Sequence, residues 1–138
     1  MPTLIMMVGI PRSGKSTYAK KLDYPIVQPD AIRLALHGNR FNPLAEEMVW
    51  TIAKVMVRHD FALGHEKVVL DATNITKERR DKWLSRQWDR EFHILTTPKS
   101  LCIERAELIN DQEMIDVIER MAANYEEVSN EEGKRIFI

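Results

Sequence analysis

Short apolar runs alternate along the chain with longer stretches in which apolar residues recur every three or four positions. The first pattern is typical of buried strands, and the second of helices that pack against a sheet. The predicted strands are residues 3–8, 25–28, 67–70, 91–96 and 134–138. The predicted helices are residues 15–22, 31–37, 43–63, 77–90, 101–108 and 112–127. This alternation predicts parallel βα units in a three-layer α/β sandwich, formed by a single domain of residues 1–138.

Local signals mark the ends of the predicted helices. Four helices are expected to begin after a short polar residue that can accept a hydrogen bond from a free N–H group. These predicted N-caps are Asp30, Asn42, Thr76 and Ser100. Glycine favours helix ends, so Gly38-Asn39 and Gly64 are predicted stops. In helix 43–63, the residues expected to face the core are Met48, Ile52, Val55, Met56 and Phe61.

A glycine-rich segment follows the first predicted strand. Residues 9–16 fit the pattern G-x-x-x-x-G-K-[ST] without mismatch, directly between a strand and a helix. In this motif the backbone N–H groups face one anion, the lysine reaches the β- and γ-phosphates, and the hydroxyl ligates Mg²⁺. The predicted nucleotide-binding residues are Gly9, Pro11, Arg12, Ser13, Gly14, Lys15, Ser16 and Thr17. The segment therefore predicts binding of ATP and Mg²⁺, with Ser16 as a metal ligand.

Two later segments carry candidate chemistry for a phosphoryl acceptor. Asp30 follows the second predicted strand, and Arg33 lies one helical turn further on. The carboxylate can accept a proton from an attacking hydroxyl, and the guanidinium can hold a phosphate or carboxylate; an N-cap and a solvent-facing arginine are the alternative. Asp71 follows the third strand, where open α/β sheets present ligands. It is expected to hold Mg²⁺ through a water or to accept a hydrogen bond from Ser16, with a turn-forming aspartate as the alternative.

Four motifs occur in the order found in one protein family. They are residues 9–17, Asp30-x-x-Arg33, residues 71–80 and residues 103–105. Together they resemble the kinase domain of phage-type polynucleotide 5′-hydroxyl kinases and their stand-alone P-loop relatives, over about residues 3–127. The resemblance implies a P-loop kinase fold, with a parallel sheet of about five strands in the order 2-3-1-4-5, helices on both faces and a short helical lid. The phosphatase domain of some family members has no counterpart, so 3′-end processing is not expected.

The resemblance also implies roles for four matched residues. The acid matching Asp30 is the general base for the 5′-hydroxyl, and the arginine matching Arg33 holds the 3′-phosphate of the terminal nucleotide. Lys15 and the lid residue Arg105 stabilise the transferring phosphate. The family's lid usually carries a second arginine, but Ile109 stands at that position. The candidates to replace its charge are Arg12, Arg79 and Arg80.

Charge and composition narrow the function classes. The net charge is −1, but residues 1–99 hold 16 basic and 11 acidic residues, whereas residues 100–138 hold 4 and 10. A basic first part suits a polyanionic substrate, with two ordinary solvated faces as the alternative. No apolar run approaches the roughly 18 residues of a membrane span, and Cys102 is the only cysteine. We expect a cytoplasmic protein without membrane association or an obligate protein partner.

Other conspicuous side chains are expected to be structural. Trp50 and at least one of Trp83 and Trp88 should pack in the core, although aromatic residues among basic ones can also stack on nucleobases. Cys102 should be a buried small side chain. The acidic residues near the C-terminus, Glu132 among them, read as a solvated terminus.

The favoured function is ATP-dependent phosphoryl transfer to a hydroxyl, with the 5′-hydroxyl of a polynucleotide or nucleotide as acceptor. A small-molecule kinase acting on a sugar, nucleoside or cofactor precursor is the first alternative. A non-catalytic nucleotide-binding switch is the second. The absent lid arginine favours this switch, whereas the intact Lys15, Ser16, Asp30 and Asp71 favour an enzyme.

Overall fold

Five strands form one parallel sheet in the computed structural model, which describes residues 1–38 and 41–138. The strands are β1 (Thr3–Val8), β2 (Ile26–Val27), β3 (Lys67–Leu70), β4 (Asp89–Ile94) and β5 (Lys134–Phe137). Their order is β2-β3-β1-β4-β5, and every neighbouring pair is parallel. The predicted strand order is therefore confirmed. It places the carboxyl ends of all five strands at one edge of the sheet.

Six helices connect and cover these strands. They are α1 (Lys15–Lys21), α2 (Pro29–His37), α3 (Glu46–Ala62), α4 (Lys77–Asp81), α5 (Lys99–Leu108) and α6 (Gln112–Ala123). Alternate residues of β1 face opposite layers, because successive side chains in a strand point to opposite sides. Leu4, Met6 and Val8 belong to the core cluster that contains α3, whereas Ile5 and Met7 belong to the one that contains α1. The sheet is thus covered on both faces, as predicted. No helix within the described residues is long and apolar enough to cross a bilayer.

A third apolar cluster joins α5 and α6 to the phosphate loop. Cys102, Ala106 and Ile118 are fully buried there, and Ile10 of the loop packs among them. The prediction of a buried Cys102 is confirmed. This cluster holds the two helices beside the loop that follows β1.

Several predicted helix starts are wrong. Asp30 is not an N-cap, since α2 begins one residue earlier at Pro29 and Asp30 lies in its first turn. Proline suits that first position because its missing N–H would have no helical partner there. Asn42 instead forms a turn, in which its Oδ1 accepts from the Leu44 N–H at 3.0 Å. Ser100 lies inside α5, but Thr76 caps α4 as predicted and accepts from the Arg79 N–H.

The helix ends at Gly38 and Gly64 were predicted correctly, whereas most of the predicted core face of α3 is wrong. Gly38 and Gly64 end their helices as predicted, whereas Asn39 lies outside the described residues. The core face of α3 is Val49, Ala53 and Val57, while Ile52 and Phe61 are only partly buried against it. The remaining predicted core residues, Met48, Val55 and Met56, are exposed. The three buried residues are spaced four positions apart and form one face of the helix.

The predicted helix 77–90 is wrong beyond its first turns. The helix α4 ends at Asp81, and the chain then turns so that Trp83 and Trp88 enter the core with 1% and 4% of their surface exposed. The Trp88 Nε1–H donates to the Trp83 carbonyl at 3.0 Å. Burial of two large indoles outweighs the local helical pattern, and β4 begins directly afterwards.

Candidate active site

The phosphate loop leaves β1 at the centre of the sheet and enters α1. Within it Arg12 (φ 66°) and Gly14 (φ 97°) are left-handed. Left-handed residues next to right-handed ones turn successive N–H groups toward one point, which makes an anion-binding concavity. Neighbouring loops hold this shape: the Gly9 N–H donates to the Thr73 carbonyl at 3.0 Å, and Thr97 Oγ1 donates to the Ser13 carbonyl at 2.7 Å.

Lys15 lies inside this loop. Its Nζ donates to the Ile10 carbonyl at 2.9 Å. Burial lowers the pKa of Lys15, and the negative charges of Asp71 and Asp30 offset part of that effect. The two carboxylates singled out from the sequence therefore both lie within electrostatic reach of the loop lysine.

Ser16 and Asp71 form the predicted pair. Ser16 Oγ donates to Asp71 Oδ2 at 2.7 Å, and Gln28 Nε2 donates to the same oxygen at 2.9 Å. Gln28 also lies 3.2 Å from Ser16 Oγ. Gln28 follows directly after β2, but the sequence carried no signal for its contact with a residue 43 positions away.

The chain's residues fit a nucleoside triphosphate with Mg²⁺. Ser13 Oγ is buried without a hydrogen-bond partner among the described residues, as expected for a group that faces a bound anion. A Cβ at Gly9 would lie 2.8 Å from that oxygen, so glycine keeps the loop open. Groups of three or more metal-binding side chains are absent from the described part of the chain. A hydroxyl and one carboxylate nevertheless suit Mg²⁺, which keeps waters and phosphate oxygens as its other ligands.

Asp30 and Arg33 meet at the first turn of α2. Arg33 Nη1 donates to Asp30 Oδ1 at 2.7 Å, while Nε and Nη2 donate to the two carboxylate oxygens of Glu46 at 2.8 and 2.7 Å. The Asp30 side chain is 67% exposed, whereas that of Arg33 is 14% exposed. Asp30 is therefore open to an acceptor, but a carboxylate from α3 already occupies one edge of the Arg33 guanidinium. No feature of the sequence pointed to Glu46.

Arg105 extends from α5 onto the phosphate loop, where its Nη1 donates to the Arg12 carbonyl at 2.8 Å. Its guanidinium therefore lies against the phosphate loop. Ile109 is exposed and brings no charge. Arg12 lies 4.0 Å from Asp111 at the start of α6. Two of the arginines singled out from the sequence, Arg12 and Arg105, therefore lie at the phosphate loop.

Arg80 is not available to replace the absent lid arginine. Its side chain is fully buried and forms an ion pair with Glu132 at 2.8 Å. It also donates to the carbonyls of Asn74, Glu126 and Glu127. These bonds connect the segment before β5 with the loop that follows β3. The prediction that Glu132 belongs to a solvated terminus is wrong, because its side chain is only 4% exposed.

Two cavities flank the phosphate loop. One, of about 590 Å³, is lined mainly by apolar residues of β2, α2 and α3, and its polar lining includes Ser16, Gln28 and Asp71. The other, of about 370 Å³, is lined by Ile10 of the loop, the ends of β4 and β5, and Tyr125. Apolar clefts with a few polar groups are typical of ligand sites. The phosphate loop therefore has space for a ligand on both sides.

Solved structures share this architecture. A chain of the Pnkp1/Rnl/Hen1 complex is 26% identical, with a TM-score of 0.66 over 75% of this chain and 38% of that one. A gluconokinase from Sinorhizobium meliloti 1021 is 18% identical, with a TM-score of 0.62 over 99% and 82%. Kti12 of Chaetomium thermophilum, in complex with ADP-AlF3, is 14% identical, with a TM-score of 0.62 over 98% and 88%. The chain spans less than half the length of the Pnkp1/Rnl/Hen1 chains that it matches.

Sequence comparison gives one further result. No curated protein matches the chain. A family model described as AAA domain matches residues 4–128, which include the phosphate loop, α2, the segment after β3, α5 and α6. The chain therefore belongs to this AAA domain family, and its fold is that of the P-loop kinases.

Proposed function

We propose that the protein transfers the γ-phosphoryl group of ATP to the 5′-hydroxyl of a polynucleotide or nucleotide. The observation that carries the proposal is the Asp30–Arg33 pair, because it combines an exposed carboxylate with a guanidinium at the start of α2. The charge of Asp30 also acts on Lys15, so the acid lies within electrostatic reach of the loop lysine. The likeness to a chain of an RNA repair complex supports the same acceptor.

Each residue then has one task. Asp30 accepts the proton of the attacking hydroxyl, which raises the electron density on the oxygen that bonds to phosphorus. Lys15 and Arg105 oppose the negative charge on the phosphoryl group as its bond to ADP breaks. Ser16 and Asp71 would hold Mg²⁺, which neutralises charge on the β- and γ-phosphates when it is bound. The cavity at Ile10 and Tyr125 gives room for the base of the nucleotide.

A second candidate is a kinase for a small molecule that carries no phosphate group, such as a nucleoside or sugar. The observation in its favour is the Arg33–Glu46 ion pair, since Glu46 fills the edge of Arg33 that a phosphate would use. The apolar cavity of about 590 Å³ also has room for a small acceptor. Both candidates use the same loop, base and metal site, so they differ only in what lies beyond the accepting hydroxyl.

The test is a transfer assay with γ-labelled ATP on 5′-hydroxyl oligonucleotides, nucleosides, nucleoside 3′-monophosphates and gluconate. Wild type should label the 5′-hydroxyl substrates. Lys15→Ala should lose transfer while keeping its fold, because the Lys15 ammonium neutralises negative charge on the phosphates. Lys21→Ala is the matched control, since Lys21 is exposed at the other end of α1 and should leave transfer unchanged. Labelling of gluconate alone would exclude the proposed acceptor. Transfer by Lys15→Ala within about tenfold of wild type would place the nucleotide elsewhere.

A further inference from the structure

Glu46 contacts the guanidinium of Arg33 beside the proposed base and lies within electrostatic reach of a second one, that of Arg79. Arg33 binds both of its oxygens, at 2.8 and 2.7 Å, and the charge of Arg79 also acts on it. Both arginines pack on the indole of Trp50, with guanidinium carbons 4.6 Å (Arg79) and 5.8 Å (Arg33) from the ring centroid. Asp30 completes the group through its bond to Arg33. The result is an anion-binding pocket of two arginines and one indole, in which the anion is the protein's own carboxylate.

The shape of this contact matters for an acceptor. Nε and Nη2 form the side-on edge of a guanidinium, which binds carboxylates and phosphates in the same two-pronged way. Both N–H donors of that edge of Arg33 already form hydrogen bonds to Glu46. A phosphate that is to be bound bidentately there must first displace the carboxylate. It must also tolerate the remaining negative charges of Asp30 and Glu46 nearby.

We propose that Glu46 sets the selectivity of the acceptor site by competing with an acceptor phosphate for the side-on edge of Arg33. The proposal rests on the proposed function, since it concerns which acceptors reach Asp30. It predicts that the wild-type preference for a 3′-phosphorylated acceptor is partly suppressed, and that removing the carboxylate charge restores it. Arg79, held against Trp50, supplies the second positive charge for the phosphate.

Two features would allow Glu46 to compete with an acceptor phosphate. The hydrogen bonds from Arg33 hold the pKa of Glu46 below its ordinary value, so the competing charge is present throughout the neutral range. Glu46 also comes from the first residue of α3, whereas Arg33 and Asp30 belong to α2. The contact therefore spans two elements, and breaking it removes no hydrogen bond within either helix.

The experiment compares Glu46→Gln with wild type, using adenosine and adenosine 3′-monophosphate as acceptors. The ratio of kcat/KM for the two acceptors should rise roughly 5- to 30-fold in favour of the 3′-phosphate, because a neutral amide competes weakly with a dianion. Glu47→Gln is the matched control, since Glu47 is the exposed neighbour of Glu46 and should leave the ratio unchanged. Adding Arg79→Ala to Glu46→Gln should remove most of the gain.

A binding measurement without ATP separates this inference from the proposed function. By calorimetry, Glu46→Gln should bind adenosine 3′-monophosphate more tightly than wild type by a similar factor, with adenosine unchanged. This result supports the inference even if no acceptor is phosphorylated. A fall in the 3′-phosphate ratio, or an unchanged ratio and affinity in a Glu46→Gln protein with wild-type circular dichroism, would overturn it. Glu46 would then only position Arg33, while 5′-hydroxyl transfer by wild type would leave the proposed function intact.

Discussion

The Ser16 hydroxyl has two hydrogen-bond partners among the described residues. Its hydroxyl proton goes to Asp71 Oδ2 at 2.7 Å, and one lone pair faces Gln28 Nε2 at 3.2 Å. A hydroxyl oxygen has two lone pairs, so one remains for a cation. Asp71 and Gln28 thereby orient the Ser16 oxygen, a role typical of groups that surround metal ligands.

This arrangement predicts a Mg²⁺ phenotype. Ser16→Ala removes the proposed direct ligand and Asp71→Asn weakens its proposed support, so both should raise the Mg²⁺ concentration required for half-maximal rate, by roughly 10- to 100-fold. Ser16→Thr keeps the hydroxyl and should stay near wild type. Magnesium titrations of the transfer rate measure the effect. Unchanged titrations in both Ser16→Ala and Asp71→Asn would exclude these metal roles.

Asp30 gives a second prediction at the level of one side chain. Asp30→Asn keeps an oxygen for the Arg33 hydrogen bond but cannot take a proton, so kcat should fall roughly 10²- to 10⁴-fold while ATP affinity stays constant. Asp23→Asn, at an exposed site just after α1, is the control and should be neutral. Single-turnover transfer and ATP binding measure the two quantities. A near-normal kcat for Asp30→Asn would move the base to another residue, with Asp71 as the next candidate.

The site residues that the sequence predicted are those with a local signal. Lys15 and Ser16 sit in a contiguous motif, and Asp71 ends a strand at the edge where parallel sheets present ligands. Gln28 and Glu46 have no such signal. Their partners lie 43 and 13 residues away in sequence. Gln28 meets Asp71 because β2 pairs with β3, and Glu46 meets Arg33 because α3 packs against α2, so both contacts depend on the tertiary fold.

At the scale of elements, strands were predicted more closely than helices. Strands β1, β2 and β3 are largely apolar runs, so their positions follow from local composition, whereas β4 and β5 mix apolar with charged residues. The helix predicted at 77–90 ends at Asp81, because burying the indoles of Trp83 and Trp88 stabilises the protein more than a longer helix would. Arg80 contributes to the same outcome, since its bonds to carbonyls near residue 126 fix the end of α4.

The start of β5 yields an element-scale prediction. At Gly133 (φ 156°) an added Cβ would lie 2.6 Å from the Arg90 carbonyl oxygen, a backbone atom of β4 that the sheet holds in place. Gly133→Ala should therefore lower the free energy of unfolding by at least about 2 kcal/mol. Gly64→Ala (φ 97°) meets nothing within 4 Å and should lose only about 1 kcal/mol for its left-handed backbone. Urea unfolding measures both, and equal losses would contradict the steric argument.

At the scale of the whole molecule, buried ion pairs join segments that are far apart in sequence. Arg80 and Glu132 are 52 residues apart and both almost fully buried. Arg90 adds a hydrogen bond to the Glu132 carbonyl. Removing one partner of such a pair leaves an uncompensated charge inside the protein, and that cost exceeds the value of the pair itself. The C-terminal strand thus depends on electrostatics as well as on apolar burial.

This dependence predicts how stability changes with pH. Burial alone would raise the pKa of Glu132, but the hydrogen bonds from Arg80 and the Ser129 N–H hold it below the ordinary value of 4.5. The pKa values of Glu46 and Glu91 are lowered as well. A carboxylate whose pKa is lowered by folding stabilises the protein above its unfolded-state pKa, and that stability is lost as the pH falls through the folded-state pKa. The contribution should therefore be constant from pH 7 to about pH 5.5 and decline below about pH 4.5.

Glu132→Gln tests both the magnitude and the pH range. At pH 7 it should lower the free energy of unfolding by about 3 kcal/mol, because Arg80 stays buried while its counter-charge is gone. Below about pH 4.5 the difference in free energy of unfolding between Glu132→Gln and wild type should shrink. Wild-type Glu132 then becomes protonated and no longer provides the negative charge that stabilises buried Arg80. Glu131→Gln changes the same charge at the exposed neighbouring residue and should follow the wild-type curve. Urea unfolding at intervals between pH 7 and pH 3 gives the free energy of unfolding against pH for wild type and both variants. A Glu132→Gln curve parallel to that of wild type over the whole range would show that this ion pair does not control acid stability.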